Sequence, residues 1–208
     1  MIDFPASTHV GKRLPKEAFY QHLELTNALK NKFVSDIEQI AVENTLTKDN
    51  LNLSKDAAIK EIMLLSLTLK KQNFDAKIAE VIARQNPHKL VFLFGYDDKR
   101  QLAVYHSKLY RSEWGNADKV NLILSGDNLD SIWNDLVRQV AIHSECILRH
   151  PDAPIDEQLK IQNEINNLSK LIKKTENAVI KEKQPKQKFD LYTRLQKYKE
   201  QLNEITNG

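Results

Sequence analysis

Three residues in the middle of the chain have side chains suited to phosphate-ester chemistry: Lys70, Asp75 and His88. A nuclease of the restriction-endonuclease type needs carboxylates at a strand end to hold a divalent metal ion beside a lysine, with an acidic residue followed by an E-x-K motif. Lys70 occupies the lysine position at the end of a predicted strand, but Thr68 stands where the glutamate would be. The pattern leaves a divergent metal-dependent nuclease as one hypothesis, with these three residues as candidate catalytic groups.

A second group of potential ligands lies on one predicted helix, where His143, Cys146 and His150 are spaced i, i+3 and i+7. This spacing places two imidazoles and a thiol on one helical face. Structural zinc sites are tetrahedral and usually take ligands from at least two elements, and no second cluster of cysteine and histidine accompanies this one. We therefore expect no metal site and no cofactor, and a partly buried helix face instead.

The sequence also lacks the motifs of several large enzyme classes. Neither G-x-G-x-x-G nor G-x-x-x-x-G-K is present to hold nucleotide phosphates. The G-x-S-x-G turn of serine hydrolases is missing as well. These absences argue against ATP hydrolysis and nicotinamide chemistry by this chain alone, and they favour a protein that is not an enzyme.

Lysine is concentrated in the segment KEKQPKQKF, which interrupts the apolar pattern of the last fifty or so residues around Pro185. A lysine-rich connection between two helices can neutralise nucleic-acid phosphates or bind an acidic protein surface. Aromatic residues are sparse nearby, so base stacking is not predicted. A second basic cluster precedes the first predicted helix. The candidate contact residues are Lys181, Lys183, Gln184, Lys186 and Lys188 in the first cluster and Lys12, Arg13 and Lys16 in the second.

The elements that must position these residues begin with a stretch, 61–108, in which strand and helix periodicities alternate. EIMLLSLTLKK alternates apolar and polar residues, FDAKIAEVIARQ has helical spacing, and KLVFLFGY and QLAVYHSKLY have the composition of strands. This order predicts a strand, a crossover helix and further strands, with the apolar run 90–94 covered on both faces. Another strand is predicted within 116–125, so the sheet unit spans 61–125.

On either side of this unit the pattern is helical. Apolar spacing predicts helices over 16–30 and 33–46, joined as an N-terminal αα hairpin. After the sheet unit, Asp127 can cap a helix over 128–148, which the following prolines end. Residues 1–151 are therefore predicted to form one α/β domain, a central mixed sheet of three to five strands flanked by helices.

From residue 155 the composition changes to a heptad pattern in two segments. Apolar residues alternate spacings of three and four, as in a coiled-coil seam, and isolated helices are marginal in water unless such a seam is covered. Because Pro185 separates the segments, we predict that residues 155–208 form an antiparallel coiled-coil helical hairpin, with a homodimer as the open alternative. The seam positions are Ile161, Ile165, Leu168, Ile172, Thr175 and Val179, then Leu191, Leu195, Tyr198, Leu202 and Ile205.

The 208 residues suffice for one domain with an additional element. A single cysteine excludes an internal disulfide and fits a reducing compartment. The first residues have no secretory signal, and no apolar run approaches the ~20 residues of a membrane span. These features predict a cytoplasmic protein without membrane contact, and the net charge of +3 alone does not identify a partner.

Three stretches resemble an uncharacterised bacterial family that has a domain of unknown function: FPASTHVGKRLPKEAFYQHLELTNALKNKFVSDIEQI, LTLKKQNFDAKIAEVIARQNPHKLVFLFGY and KEKQPKQKFDLYTRLQKYKEQL. They cover most of the chain in the right order. The resemblance implies genes for helicases and DNA methyltransferases nearby, in loci like restriction or phage-defence islands, and it supplies no catalytic residues. After Gln184 the chain has Pro185 and Lys186, which differ from the residues that the family has at these two positions. The matching positions are Lys12, Arg13, Pro15, Lys16, Phe19, Tyr20, Lys70, Asp75, Pro87, His88, Lys181, Glu182, Gln184 and Lys188.

Together with the missing enzyme motifs, the resemblance implies a non-enzymatic accessory subunit of a bacterial DNA-targeting assembly, for restriction or phage defence. Such a subunit would bind a larger helicase- or methyltransferase-type protein through the predicted hairpin, with nucleic acid as a second candidate partner. Two alternatives stay open. One is the metal-dependent nuclease centred on Lys70 and Asp75, and the other is a nucleic-acid-binding module that uses the lysines between the two predicted helices.

Overall fold

The structure is a computed structural model that describes residues 2–17, 23–148 and 153–207. The chain divides into two compact units, Met1–Ala141 and Ile142–Gly208. The first unit contains the sheet, and the second contains the two longest helices.

The first unit is built on a mixed sheet. Among the described residues its strands number seven, in the order β1-β2-β3-β4-β5-β6, with β7 paired to β5. The pair β3–β4 is parallel, and the other pairs are antiparallel. The α/β class and the mixed sheet are thus confirmed, although the sheet has more strands than the three to five predicted. The strands are β1 (His9–Leu14), β2 (Ile37–Thr47), β3 (Glu61–Leu69), β4 (Lys89–Tyr96), β5 (Lys99–His106), β6 (Lys108–Arg111) and β7 (Gly115–Asn116).

The helices of the first unit pack on the two faces of this sheet. The predicted strand–helix–strand unit is confirmed, since β3, α2 and β4 form a parallel crossover whose helix buries apolar residues at helical spacing. The helices that lie wholly within the described residues are α1 (Asn27–Asp36), α2 (Lys77–Gln85), α3 (Leu129–Ala141), α4 (Glu145–Leu148), α5 (Ile155–Lys181) and α6 (Pro185–Asn207). A 3₁₀ turn, Ala6–Thr8, precedes β1.

The predicted αα hairpin over 16–46 is wrong, because residues 37–47 form β2. This strand pairs with β1 on one edge and β3 on the other, so its backbone hydrogen bonds are made within the sheet. Its apolar residues occur on both faces, and for a strand buried on both sides the spacing does not distinguish a helix from a strand. The predicted first helix includes residues 18–22, which lie outside the described residues.

The strand predicted within 116–125 does not form over residues 120–125. The side chain of Gln139 on α3 binds the main chain of Ile123 instead. The Gln139 amide oxygen accepts a hydrogen bond from the Ile123 N–H (3.0 Å), and its amide nitrogen donates to the Ile123 carbonyl (2.7 Å). The helix predicted over 128–148 ends at Ala141. It breaks because the N–H groups of His143 and Ser144 donate to Gln162 Oε1 (2.9 and 3.0 Å). A separate short helix, α4, follows.

The core lies on both faces of the sheet. On the first face, α1 and α2 bury Phe33 and Ile78 against Phe92 and its neighbours in β3 and β4. On the second face, α3 packs against β3, β5 and β6 through the buried side chains of Trp133 and Leu136. In the apolar run of β4 every residue except the half-buried Leu93 is buried, so side chains on both faces of this strand are covered, as predicted. Burying side chains of this size supplies much of the stabilisation of such a fold.

Candidate functional site

The three candidate catalytic residues lie at two different ends of the parallel strand pair. Lys70 directly follows β3, and Asp75 precedes α2 at the same end of the sheet. His88 directly precedes β4, whose first residues pair with the first residues of the parallel strand β3. It therefore lies at the opposite end, where its Nδ1 is 3.7 Å from Glu61 Oε2. Lys70 and Asp75 thus lie at the same end of the sheet, and His88 lies at the other end.

The residue that joins Lys70 and Asp75 is Asp36, which sequence reasoning missed. Its side chain is only 1% exposed, and its Oδ1 pairs with Lys71 Nζ at 2.7 Å. The N–H of Asp75 donates to Asp36 Oδ2 (2.9 Å), and the N–H of Lys70 donates to the Asp36 carbonyl (2.9 Å). The sequence signal for this role is an aspartate directly before an apolar stretch of strand length. Because the sequence pattern predicts a helix over 33–46, it does not place Asp36 at the end of a strand.

The electrostatics of Asp36 follow from these contacts. Burial raises the pKa of the carboxyl group, but the hydrogen bonds from Lys71, Ser35 and the Asp75 N–H together outweigh burial and hold the pKa of Asp36 below its ordinary value. Both carboxylate oxygens are therefore engaged by donors of the chain itself. This arrangement ties the end of α1 to the segment between β3 and α2.

The lysines at this end of the sheet also bind main-chain groups. Lys70 Nζ donates to the Val34 carbonyl (3.0 Å) in the last turn of α1, where helix carbonyls lack intrahelical partners. Lys16 Nζ donates to the Ile37 carbonyl, and burial, then the charge of Lys70, lowers the pKa of Lys16. Of the predicted N-terminal contact cluster, Lys12 and Arg13 are exposed on β1.

Of the three potential metal ligands, His143 lies in the break between α3 and α4 and Cys146 lies in α4, so they do not share the continuous helix that the sequence predicted. His150 lies outside the described residues. Within 2–17, 23–148 and 153–207, no group of three or more His, Cys, Asp or Glu side chains is arranged to hold a metal ion. The same part of the chain contains no helix long and apolar enough to cross a membrane.

The predicted contact residues of the second unit lie where α5 ends and α6 begins. Lys181, Lys183, Gln184, Lys186 and Lys188 are all exposed. The Glu182 carboxylate accepts the N–H groups of Lys183 and Gln184, both at 2.8 Å. Pro185 is the first residue of α6, a position that suits proline because its missing N–H would have no helical partner.

The two long helices bury the residues that the heptad pattern selected. Each predicted seam position is buried or half-buried, and Ile165, Leu168, Thr175 and Leu195 are the most buried. A salt bridge of 2.8 Å joins Lys199 Nζ on α6 to Glu176 Oε1 on α5. The prediction of two helices with a shared apolar seam is consistent with this burial.

Sequence reasoning missed a cavity on the second face of the sheet. Its volume is about 690 Å³, and residues of β2, β3, β4 and β5 line it together with Ile2, Asp3, Phe4 and Ala6. The available signal was the short or polar residues within otherwise apolar strands, Ser66 and Thr68 in β3 and Gly95 in β4. A glycine inside a strand often marks a place where another group approaches the backbone closely.

These features define a mixed α/β protein with a sheet-face cavity and, in a second unit, a pair of long helices. The chain belongs to the family described as Domain of unknown function (DUF4391), whose model matches residues 2–202. The predicted membership of an uncharacterised family is confirmed, and the predicted genomic neighbourhood stays a prediction. No curated protein and no solved structure matches the chain.

Proposed function

We propose that the chain is a non-enzymatic interaction subunit that binds a partner protein through residues 180–192, which we call the tip. The tip contains the end of α5, the three-residue connection 182–184 and the start of α6. Because helices joined by so short a connection can share a seam only by reversing direction, we infer an antiparallel hairpin. The salt bridge between Lys199 and Glu176 supports this arrangement.

The observation that carries the proposal is the exposure of large apolar side chains in the tip. Ile180 is 78% exposed, Phe189 69% and Tyr192 52%. Phe189 and Tyr192 are three residues apart in α6, so they lie on the same side of that helix. Exposed apolar patches rimmed by polar residues mark interaction surfaces, and aromatic side chains often dominate their binding energy.

The charge of the tip indicates what kind of surface the partner presents. The tip contains exposed lysines at 181, 183, 186 and 188, against two acidic residues, Glu182 and Asp190. The Glu182 carboxylate already accepts two N–H groups of the connection. A matching partner therefore has an apolar groove with an acidic rim, since complementary charges speed association and select the correct partner.

A protein partner fits the tip better than nucleic acid does. Lysines can neutralise phosphates, but an aliphatic side chain such as Ile180 gains little from a phosphate backbone and much from an apolar protein groove. By the family resemblance, the partner is a helicase- or methyltransferase-type protein of a DNA-targeting assembly. Nucleic-acid binding that weakens steeply with salt, and less steeply after the tip lysines are replaced, would favour a nucleic-acid-binding module instead.

The test measures the affinity of the purified chain for purified products of the genes next to its own. The apolar variant is Phe189→Ser with Tyr192→Ser, and the charge variant is Lys186→Glu with Lys188→Glu. Two matched controls lie outside the tip: Ile123→Ser, at an isoleucine that is 66% exposed, and Lys160→Glu, at an exposed lysine near the start of α5.

We expect the apolar variant to weaken binding at every salt concentration and the charge variant to weaken it most at low salt, because salt screens exposed charges. Both controls should bind as the unaltered chain does. If the controls and the tip variants lose affinity equally, or if none of the variants changes it, the proposal is wrong.

The nuclease alternative keeps a direct test of its own. Incubating the chain with DNA or RNA and magnesium or manganese, with Lys70→Ala beside it, would reveal cleavage that depends on Lys70. Circular dichroism must accompany this variant, because Lys70 Nζ also binds the last turn of α1. Metal-dependent cleavage that is lost in a folded Lys70→Ala chain would show that the protein is a nuclease and not a non-enzymatic interaction subunit.

A further inference from the structure

The second face of the sheet carries two rows of residues near the carboxyl ends of β3 and β4. Paired residues of neighbouring strands point to the same face, so each row follows directly from the register. The two rows lie toward the carboxyl ends of the parallel strands β3 and β4. The first row is Gln39, Thr68, Gly95 and Arg100, and the second is Arg13, Ala41, Ser66, Leu93 and Leu102.

Six residues of these rows line the cavity of about 690 Å³: Gln39, Ser66, Thr68, Leu93, Gly95 and Arg100. The buried side chains of Ile2 and Phe4 line it from the N-terminal segment, which the hydrogen bond from Asn44 Nδ2 to Thr8 Oγ1 (2.9 Å) fastens to β2. Ala117 lines it from the segment after β7, where its N–H donates to the Asp98 carbonyl (2.9 Å). The volume falls within the range of small-molecule sites, about 300–1,000 Å³.

A carboxylate stands on the β2 side of this cavity. The pairing of β2 with β3 shifts between Val42 and Asn44, and Glu43 occupies this irregularity. A bulge of this kind re-aims a side chain, and here Glu43 Oε1 accepts the hydroxyl of Ser66. Among the described residues no donor binds Oε2, so Glu43 can accept a hydrogen bond from a ligand.

A guanidinium stands on the β5 side. The Arg100 side chain lies over Gly95, because a Cβ at that glycine would be 3.4 Å from both Arg100 Cζ and Nε. Its Nη1 donates to the carbonyls of Asp97 (2.9 Å) and Lys99 (2.8 Å), which fixes the group in place. Within the described part of the chain, Nε and Nη2 have no acceptor. An arginine held in this way is already oriented to bind a carboxylate or phosphate with two hydrogen bonds.

We propose that this cavity binds a small molecule with a flat apolar ring, an anionic group that contacts Arg100 and a hydrogen-bond donor that contacts Glu43. The apolar floor around Leu64 and Leu93 accommodates the ring. Two strands separate β2 from β5, which places the two charged groups on strands about 14 Å apart. The site also lies at the carboxyl ends of a parallel pair, where open α/β sheets commonly bind ligands. It is independent of the tip and of partner binding there.

The test uses the full chain and 1-anilinonaphthalene-8-sulfonate, a probe that combines flat apolar rings, an amine and an anionic group. Its fluorescence is titrated with the unaltered chain, with Arg100→Gln and with Thr68→Trp, which fills the floor from an exposed position. Arg194→Gln on α6 is the matched control, and Phe189→Ser with Tyr192→Ser removes the exposed aromatic side chains of the tip. Circular dichroism melts verify that each variant is folded.

We expect Arg100→Gln and Thr68→Trp each to raise the Kd of the probe at least fivefold, and the control and the tip variant to leave it within twofold. Displacement by adenosine monophosphate assigns the anion as a phosphate, and displacement by indole-3-acetate assigns it as a carboxylate. The proposal is overturned if the probe does not bind, if neither molecule displaces it, or if only the tip variant weakens it. Should Arg100→Gln unfold, Thr68→Trp decides alone.

Discussion

Asp36 is the residue on which the carboxyl end of β3 depends. Its buried carboxylate holds Lys71 and the N–H of Asp75, and its own carbonyl accepts the N–H of Lys70. Asp36→Asn keeps the size of the side chain but removes the charge that pairs with Lys71. We expect the free energy of unfolding to fall by about 2 kcal/mol, because hydrogen bonds to buried charged groups contribute more than neutral ones.

Chemical denaturation followed by circular dichroism measures this loss. The matched control is Asp118→Asn, at an exposed aspartate in the segment after β7. Surface substitutions of this kind usually change stability by less than about 0.5 kcal/mol. Equal stability of the Asp36→Asn chain and the unaltered chain would show that the network around Asp36 does not hold α1 to the sheet.

The same carboxylate gives a pH dependence with a definite sign. The pKa of Asp36 in the folded chain lies below its ordinary value of 3.8, so near that pH the unfolded chain binds more protons. The stabilisation is therefore complete well above pH 3.8 and is lost as the pH falls through the lower, folded pKa. We expect the stability deficit of Asp36→Asn to be largest at neutral pH and to shrink below pH 3.8. Urea denaturation between neutral and acidic pH measures it, and a deficit that is constant with pH contradicts this explanation.

At the residue scale, the sequence predicts which candidate catalytic residues lie at the same end of the sheet only where they are close together along the chain. Lys70 and Asp75 lie at one end of the sheet because one ends a strand and the other precedes the next helix. His88 is at the far end because β4 is parallel to β3, and the pairing of strands is a tertiary property. Glu43 and Arg100 face one cavity only because three strand pairings align them, which local periodicity does not reveal.

At the scale of elements, α5 and α6 depend on the seam between them. Leu195 is buried in that seam, whereas Tyr192, on the same helix, is half exposed. We expect Leu195→Ala to lower the free energy of unfolding of these helices by about 2–3 kcal/mol, because it removes buried methyl groups and leaves a cavity. Tyr192→Ala should change it by less than about 0.5 kcal/mol.

Far-ultraviolet circular dichroism during urea denaturation distinguishes the two variants, since these helices hold much of the helical content of the chain. Each helix is marginal on its own in water, so a weakened seam should appear as a loss of helix at lower urea. Identical denaturation curves for Leu195→Ala and Tyr192→Ala would mean that the seam does not hold the helices together.

The elements also show why some patterns predict structure better than others. The heptad positions are local and repeated, and all of them are buried or half-buried. The apolar residues of β2 fit a helix and a doubly covered strand equally well, and the sheet decided between them. Residues 120–125 have the composition of a strand, but Gln139 of α3 satisfies the backbone of Ile123 and no strand forms. Long-range hydrogen bonds thus override local preference at these places.

For the whole molecule, composition predicted two parts but placed the change at residues 151–155. The structure divides the chain after Ala141, ten residues earlier. The break after α3 depends on Gln162, which accepts the N–H groups of His143 and Ser144. Because this glutamine is about twenty residues away along the chain, the local sequence does not indicate the break, and the apolar spacing predicts a helix that continues to residue 148. The sheet unit and the paired helices can accordingly serve separate roles, one around a cavity and one at the tip.

The affinity of the purified chain for the proteins encoded next to its gene tests the central claim most directly. For the partner that binds, we predict that Phe189→Ser with Tyr192→Ser raises the Kd at least tenfold, or about 1.4 kcal/mol, because exposed aromatic anchors dominate such interfaces. Ile123→Ser should stay within twofold of the unaltered chain. Equal affinities of the unaltered chain and the tip variant would contradict the assignment of residues 180–192 as the binding surface.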